Sequence, residues 1–232
     1  MSLLYVLGQH DALETVDTQL KPDGDIYGFL DDIYVICHPD RVVDIFGILQ
    51  TELRRHAGIE INRGKTKVWD RKGIRPNDIE TMGEYVWRGD QNLPTRDQGV
   101  KILGCPIGHP DYVLHFLENI LEKQRVLLNQ IPKLEDVQKS WLLLHYCANS
   151  RANYYTRVVD PEHSGVYALG HDQCLNEWLH AILGLGLGEI GHKWQQLNQL
   201  SFNQGGVGLR SATQLRFCAY RASWADCLEI LQ

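Results

Sequence analysis

Asp31 and Asp32 stand side by side between two short apolar runs, Asp25–Leu30 (DIYGFL) and Ile33–Cys37 (IYVIC). Runs rich in Ile, Tyr, Phe and Val that flank a polar pair predict a β-hairpin with both carboxylates at its tip. Projected there, the two groups make a hard oxygen site that suits a divalent cation and a phosphate. Two such cations about 4 Å apart would clamp the attacking and leaving oxygens of an in-line phosphoryl transfer. Aspartate also favours turns on its own account, so a plain turn is the competing explanation of the pair.

A basic stretch follows, with Arg54, Arg55, Arg63, Lys65, Lys67, Arg71, Lys72 and Arg75. Cations close to metal ligands suit a triphosphate or a template-primer backbone, while Arg54 and Arg55 also suit a helix C-terminus. Gly64-Lys65-Thr66 invites a P-loop reading, but that motif needs glycine at 59, where the chain has Ile59. Gly184–Gly191 follows a helical pattern and not a strand, so it reads as an interhelical loop and not as a dinucleotide loop. His171 and Cys174 lack a second ligand pair; a surface histidine and a packing cysteine are expected there. Trp141, Tyr146, Tyr154, Tyr155, Trp178 and Trp194 could stack on bases or fill a core, with Arg151, Arg157, Arg210, Arg216 and Arg221 interleaved among them.

The elements that must carry these residues are legible in outline. Apolar positions over 3–20 predict a helix that stops at Lys21-Pro22-Asp23-Gly24. After the hairpin, Val42, Val43, Phe46, Leu49 and Leu53 mark one face of an amphipathic helix, with Asp40 as its expected N-cap and Gly58 as its stop. Two strands, through Ile59 and Ile61 and through Val68-Trp69, are expected next, then a loop over 73–99 and one more strand over Val100–Gly108. Helices are expected over Asp111–Asn129, Leu134–Asn149, Glu162–Leu183 and Ser211–Leu231. The fold class is therefore α+β: a partial ferredoxin-like unit with an antiparallel sheet over 1–109, then an all-α region over 110–232.

Four segments resemble reverse transcriptases in order and spacing. Phe29-Leu30-Asp31-Asp32 resembles the aromatic-x-Asp-Asp hairpin of the palm, Gly58–Thr66 the G-I-x-I-N-x-x-K-T stretch after it, and Leu103–Gly108 the primer-grip strand. Gly205–Ala212 (GGVGLRSA) resembles the segment after the thumb in polymerases of non-LTR retrotransposons. The resemblance implies a palm over 1–109 and a helical thumb and connection region over 110–232. It implies RNA-templated DNA synthesis by metal-dependent nucleotidyl transfer, with Asp31 and Asp32 holding Mg2+, or Mn2+ in its place. Lys65 would face the incoming dNTP. Leu103, Gly104, Pro106 and Gly108 would grip the DNA primer on its RNA template, and Arg151 and Arg157 would track the duplex phosphates. In that family a first catalytic aspartate and a Q-G-D-P segment precede this region, and Met1–Tyr5 resembles only the tail of the latter. The expectation is a C-terminal portion with two of three metal carboxylates, inactive alone. A non-catalytic nucleic-acid-binding remnant of a retroelement is the alternative.

Composition sets the frame for these readings. With 232 residues, 44% hydrophobic and 22% charged, the chain is of ordinary globular make-up, which excludes intrinsic disorder and low-complexity scaffolds. The net charge of −6 argues against a freestanding nucleic-acid binder. That charge is uneven: residues 1–39 sum to −6, 40–75 to +4 and the remainder to −4. Six cysteines without a CxxC pair predict reduced thiols and an intracellular protein, nucleus or cytoplasm undistinguished, and no membrane span or signal segment is expected.

Overall fold

The computed structural model describes residues 2–185 and 192–231. The chain divides into two compact units, Met1–His109 and Pro110–Gln232. The first contains helix α1 (Ser2–Leu20), strands β1 (Asp25–Phe29) and β2 (Asp32–Ile36), helix α2 (Val42–Ala57), and strands β3 (Gly99–Ile102) and β4 (Cys105–Gly108). The second contains α3 (Pro110–Leu128), α4 (Val137–Leu143), α5 (Asn153–Val158), α6 (Pro161–Leu183), α7 (His192–Gln199) and α8 (Ala212–Leu231).

In the first unit Ala12, Val16 and Leu20 of α1 recur every four residues and meet Ile45, Leu49 and Leu53, which recur likewise on α2. Ile26, Ile33 and Val35 of the β1–β2 hairpin pack on the same cluster, so one hairpin face rests on two helices while Tyr27, Phe29 and Ile36 stay exposed. Burying each large aliphatic side chain contributes roughly 1.5–3 kcal/mol. Helix α2 ends as expected at Gly58, whose φ of 65° lets its amide reach Arg54. Its start differs from expectation. A 3-10 turn, Pro39–Arg41, precedes it, so Asp40 lies inside that turn and is not the cap.

The antiparallel pairing is present, but the strands form two separate hairpins, β1–β2 and β3–β4, and not one ferredoxin-like sheet. The expected strands at Ile59–Ile61 and Val68-Trp69 are absent. The backbone from Asn62 to Thr66 bonds to itself, with Lys65 and Thr66 amides on the Asn62 carbonyl, and Val68 makes only an isolated parallel bridge to Trp87. Ile59 and Ile61 instead lay their side chains on the α1–α2 cluster. The segment over 73–99 is more than a loop, since Ile79, Met82, Val86 and Trp87 form a small core with Val42, Val43, Phe46 and Val68. Val100–Gly108 is a hairpin, not one strand, because Leu103 (φ 48°) and Gly104 (φ 87°) both adopt the left-handed region that a two-residue primed turn requires.

The second unit packs Leu128, Ile131, Leu144, Cys174, Leu175, Trp178, Leu179 and Leu209 into one core. The helix expected over Leu134–Asn149 breaks up: α4 passes into a π-helical turn at Leu144–Ala148 and a 3-10 turn at Asn149–Ala152 before α5. Helix α6 opens with Asp160 accepting from the Glu162 amide and closes at Gly184 (φ 67°); the rest of the expected interhelical loop, 186–191, lies outside the described residues. Among the described residues no helix is long and apolar enough to cross a membrane.

His171 is buried at 1% exposure, not on the surface as expected. Its ring bonds the Asn149 carbonyl, stacks on Tyr167 at 6.2 Å, and leaves Nε2 without a partner among the described residues. Burial holds its pKa below the ordinary imidazole value, with Arg151 acting the same way and Asp172 against. The unfolded chain therefore takes up the proton more readily, so the stabilisation is complete above the ordinary imidazole pKa and is lost as pH falls below it. The urea midpoint is expected to drop between pH 7.5 and pH 5.5, and His171→Gln to flatten that dependence; equal slopes in both proteins would count against it.

Candidate metal and nucleic-acid site

The β1–β2 hairpin is closed by Leu30 and Asp31, with Asp32 already paired opposite Phe29. Asp31 therefore occupies the tip and Asp32 the first position of β2, and both are exposed. Leu30 adopts φ 57°, a costly conformation for a branched side chain. Its carbonyl is held by Gln9, whose side-chain amide donates to it at 2.9 Å. Gln9 lies on α1 and is 2% exposed, so a buried amide fixes the backbone next to the two carboxylates.

Tyr34, on β2, connects this tip to the second hairpin. Its hydroxyl donates to Asp32 Oδ2 at 3.3 Å and accepts from the Leu103 amide at 3.2 Å. The aspartate pair and the Leu103–Gly108 segment, distant in sequence, are thereby neighbours. The exposed Leu103 and the half-buried Gly104 form the β3–β4 turn; Pro106 is buried opposite Lys101, and Gly108 pairs with Gly99 at the far end. Only the turn end of this segment lies beside the carboxylates.

Lys65 is exposed in the Asn62–Thr66 turn, and no contact ties it to Asp31 or Asp32. Most of its basic neighbours have internal employment. Arg63 donates to Gln50 at 3.0 Å and to the Thr81 carbonyl at 3.3 Å and lies over the Phe46 ring. Arg75 pairs with Glu80 and Asp90, and Lys67 donates to the Tyr85 carbonyl; burial, with Arg88 nearby, lowers the Lys67 pKa. Arg54 makes a long, exposed ion pair with Glu60, worth little, and the exposed Arg55 reaches the largely buried Glu52 carboxylate only at 3.9 Å. Among the described residues of the stretch, Lys65, Arg71 and Lys72 keep side chains without a protein partner.

In the second unit Arg157 is ion-paired to Asp226 at 2.9 Å, which ties α5 to α8. It lines a cleft of about 270 Å³ together with Asn153, Arg210 and the apolar floor of Ala212, Leu215 and Ala219. Arg151 and Arg210 are exposed and their guanidinium groups have no hydrogen-bond or ion-pair partner among the described residues. Arg216 is occupied by the Pro161 and Thr213 carbonyls and the Phe217 ring.

Among the described residues no three His, Cys, Asp or Glu side chains gather where they could hold a metal ion. Asp31 and Asp32 thus stand without the third carboxylate of a closed two-metal clamp among the described residues; a single Mg2+ that keeps most of its waters needs only one or two carboxylates. Tyr34 and Gln9 went unnoticed in the sequence. Tyr34 stands two residues from Asp32 and so shares its strand face, a signal available from spacing alone, whereas its contact with Leu103 and the reach of Gln9 depend on the fold. No family model matches the chain, and no curated protein and no solved structure is significantly similar to it.

Proposed function

We propose that this chain is the palm and thumb portion of a reverse transcriptase of non-LTR retrotransposon type, in which Asp31 and Asp32 hold Mg2+ during RNA-templated DNA synthesis. One observation carries this reading: the exposed Asp31-Asp32 hairpin lies against the Leu103-Gly104 turn, joined through Tyr34. Metal ligands and a primer-holding turn have to be neighbours if a 3′-hydroxyl is to meet a metal-bound triphosphate. Lys65 supplies an unpaired cation for the dNTP, and Arg151 and Arg157 supply charge for duplex phosphates, Arg157 after release of Asp226. With two carboxylates the chain alone is expected to bind metal and duplex and not to extend a primer, because stabilising transition-state charge is the main work of such a site.

The test combines binding and turnover. Mn2+ binding followed by electron paramagnetic resonance is expected for the native chain and is expected to fall at least tenfold in the Asp31→Asn, Asp32→Asn double variant. Primer extension on an RNA template is expected to be absent in both. Equal Mn2+ binding by the two proteins would sink the metal assignment, and Asp31-dependent extension by the chain alone would sink the claim of inactivity. That no third carboxylate clusters with the pair among the described residues favours a second reading, a nucleic-acid-binding remnant without chemistry. Duplex affinity that is salt-dependent and indifferent to Mg2+ and to Asp31 would support that one.

A further inference from the structure

We propose that Tyr34 is a positioning residue that orients the Asp32 carboxylate for its cation and couples cation binding to the Leu103-Gly104 turn, an inference that rests on the metal reading of Asp31 and Asp32. Tyr34 and Asp32 are two residues apart on β2 and so point to one face of the hairpin. A phenolic hydroxyl carries one donor hydrogen and acceptor lone pairs, so both of its contacts can stand at once. They run in one direction: the Leu103 amide donates to the hydroxyl at 3.2 Å and the hydroxyl donates to Asp32 Oδ2 at 3.3 Å. Bonds in such a chain polarise one another.

The anchor end is fixed. Leu103 and Gly104 sit at φ 48° and 87° in a two-residue turn whose flanking pair, Ile102 and Cys105, is in register. The carboxylate end is exposed, and the Tyr34 hydroxyl is its hydrogen-bond donor. Occupying one lone pair of Oδ2 leaves Oδ1 and the outer side of Oδ2 to face a cation. Outer partners of this kind typically change metal affinity by ten- to a hundredfold when removed. Coupling is reciprocal, so a cation that draws on Asp32 alters the Tyr34 hydroxyl and, through it, the Leu103 amide. The plain alternative is that Tyr34 serves only as the cross-strand partner of Tyr27, a role that Phe would fill equally well.

Tyr34→Phe separates the two, since it keeps the ring and removes the hydroxyl. With the full chain, Mn2+ affinity by electron paramagnetic resonance is expected to weaken about tenfold in Tyr34→Phe, while the urea midpoint stays near that of the native protein. Amide resonances of Leu103 and Gly104 are expected to shift on titration of the native protein with Mg2+ and to stay still in Tyr34→Phe. Native-like Mn2+ affinity and native-like shifts in Tyr34→Phe overturn the positioning role and leave the metal reading intact. A native chain that binds no Mn2+, or an Asp32→Asn variant that binds as the native chain does, overturns the metal reading and the positioning role together.

Discussion

Replacing Asp172 by alanine is expected to destabilise the second unit by about 3 kcal/mol, seen as a fall of roughly 10 °C in its thermal midpoint. Asp172 lies in the middle of α6, yet its carboxylate serves α8. It accepts from the Ser211 hydroxyl at 2.8 Å, the Ala212 amide at 2.8 Å and the Thr213 amide at 3.0 Å. Those amides are among the donors that a helix start leaves without intrahelical partners, and a negative charge there also opposes the positive end of the helix. Charge-assisted bonds of this kind contribute about 1.5 kcal/mol or more each, and orphaning buried donors adds to the loss.

Graded variants identify the cause. Ser211→Ala removes one bond to Asp172 and the contact of its hydroxyl with the Gln214 amide at 3.2 Å, so about 1 kcal/mol is expected. Asp172→Asn keeps one accepting oxygen and turns the other position into a donor facing donors, which places it between the two. Chemical denaturation followed by tryptophan fluorescence reads all three. Equal stability of Asp172→Ala and the native chain would show that water replaces the carboxylate at no cost.

Asp172 also shows where sequence reading stops. Ser211 followed three residues later by Gln214 is a local helix-start signal, and the start of α8 falls where that signal puts it. Its partner stands some forty residues upstream, inside a helix whose own pattern gives Asp172 no special place. The same division holds in the first unit. Strand alternation and a polar pair were enough to mark the Asp31-Asp32 hairpin, and Gly58 was enough to end α2. What periodicity could not reveal was pairing. Ile59-Glu60-Ile61 alternates like a strand, but its apolar residues are satisfied by the α1–α2 cluster and its backbone finds no partner strand. Leu103 hides a turn inside an apolar run, since leucine seldom accepts a positive φ. Of the basic stretch, sequence could count the charges and not how many were already spent on Gln50, Glu80, Asp90 and backbone carbonyls.

The Gly205–Ala212 segment is where the largest single effect is expected, from Gly206→Ala, at about 4 kcal/mol. A methyl group on Gly206 would fall on the Leu200 carbonyl and its Cβ, at a distance no real side chain tolerates. That carbonyl is already engaged by the Gly208 amide at 2.9 Å, and the Gly206 amide itself bonds the Ser201 carbonyl at 3.1 Å. The backbone on both sides is therefore pinned, and relief requires breaking a bond as well as shifting a turn. Gly205→Ala is the informative contrast. Its φ is 78° with nothing near the site of a new methyl, so only the left-handed conformation is penalised, about 1–2 kcal/mol. From here the chain runs on through Leu209, whose amide bonds Asn198, and Arg210, whose amide bonds Asn149 Oδ1, to the Asp172 cap. Loss of the Gly206 turn thus undoes the approach to α8, so Gly206→Ala and Asp172→Ala act on one structural unit. Their double variant is expected to lose less than the sum of the two, by 1 kcal/mol or more. Strict additivity in the denaturation midpoints would mean that the turn and the cap are independent, and that the bonds between them carry no strain from one to the other.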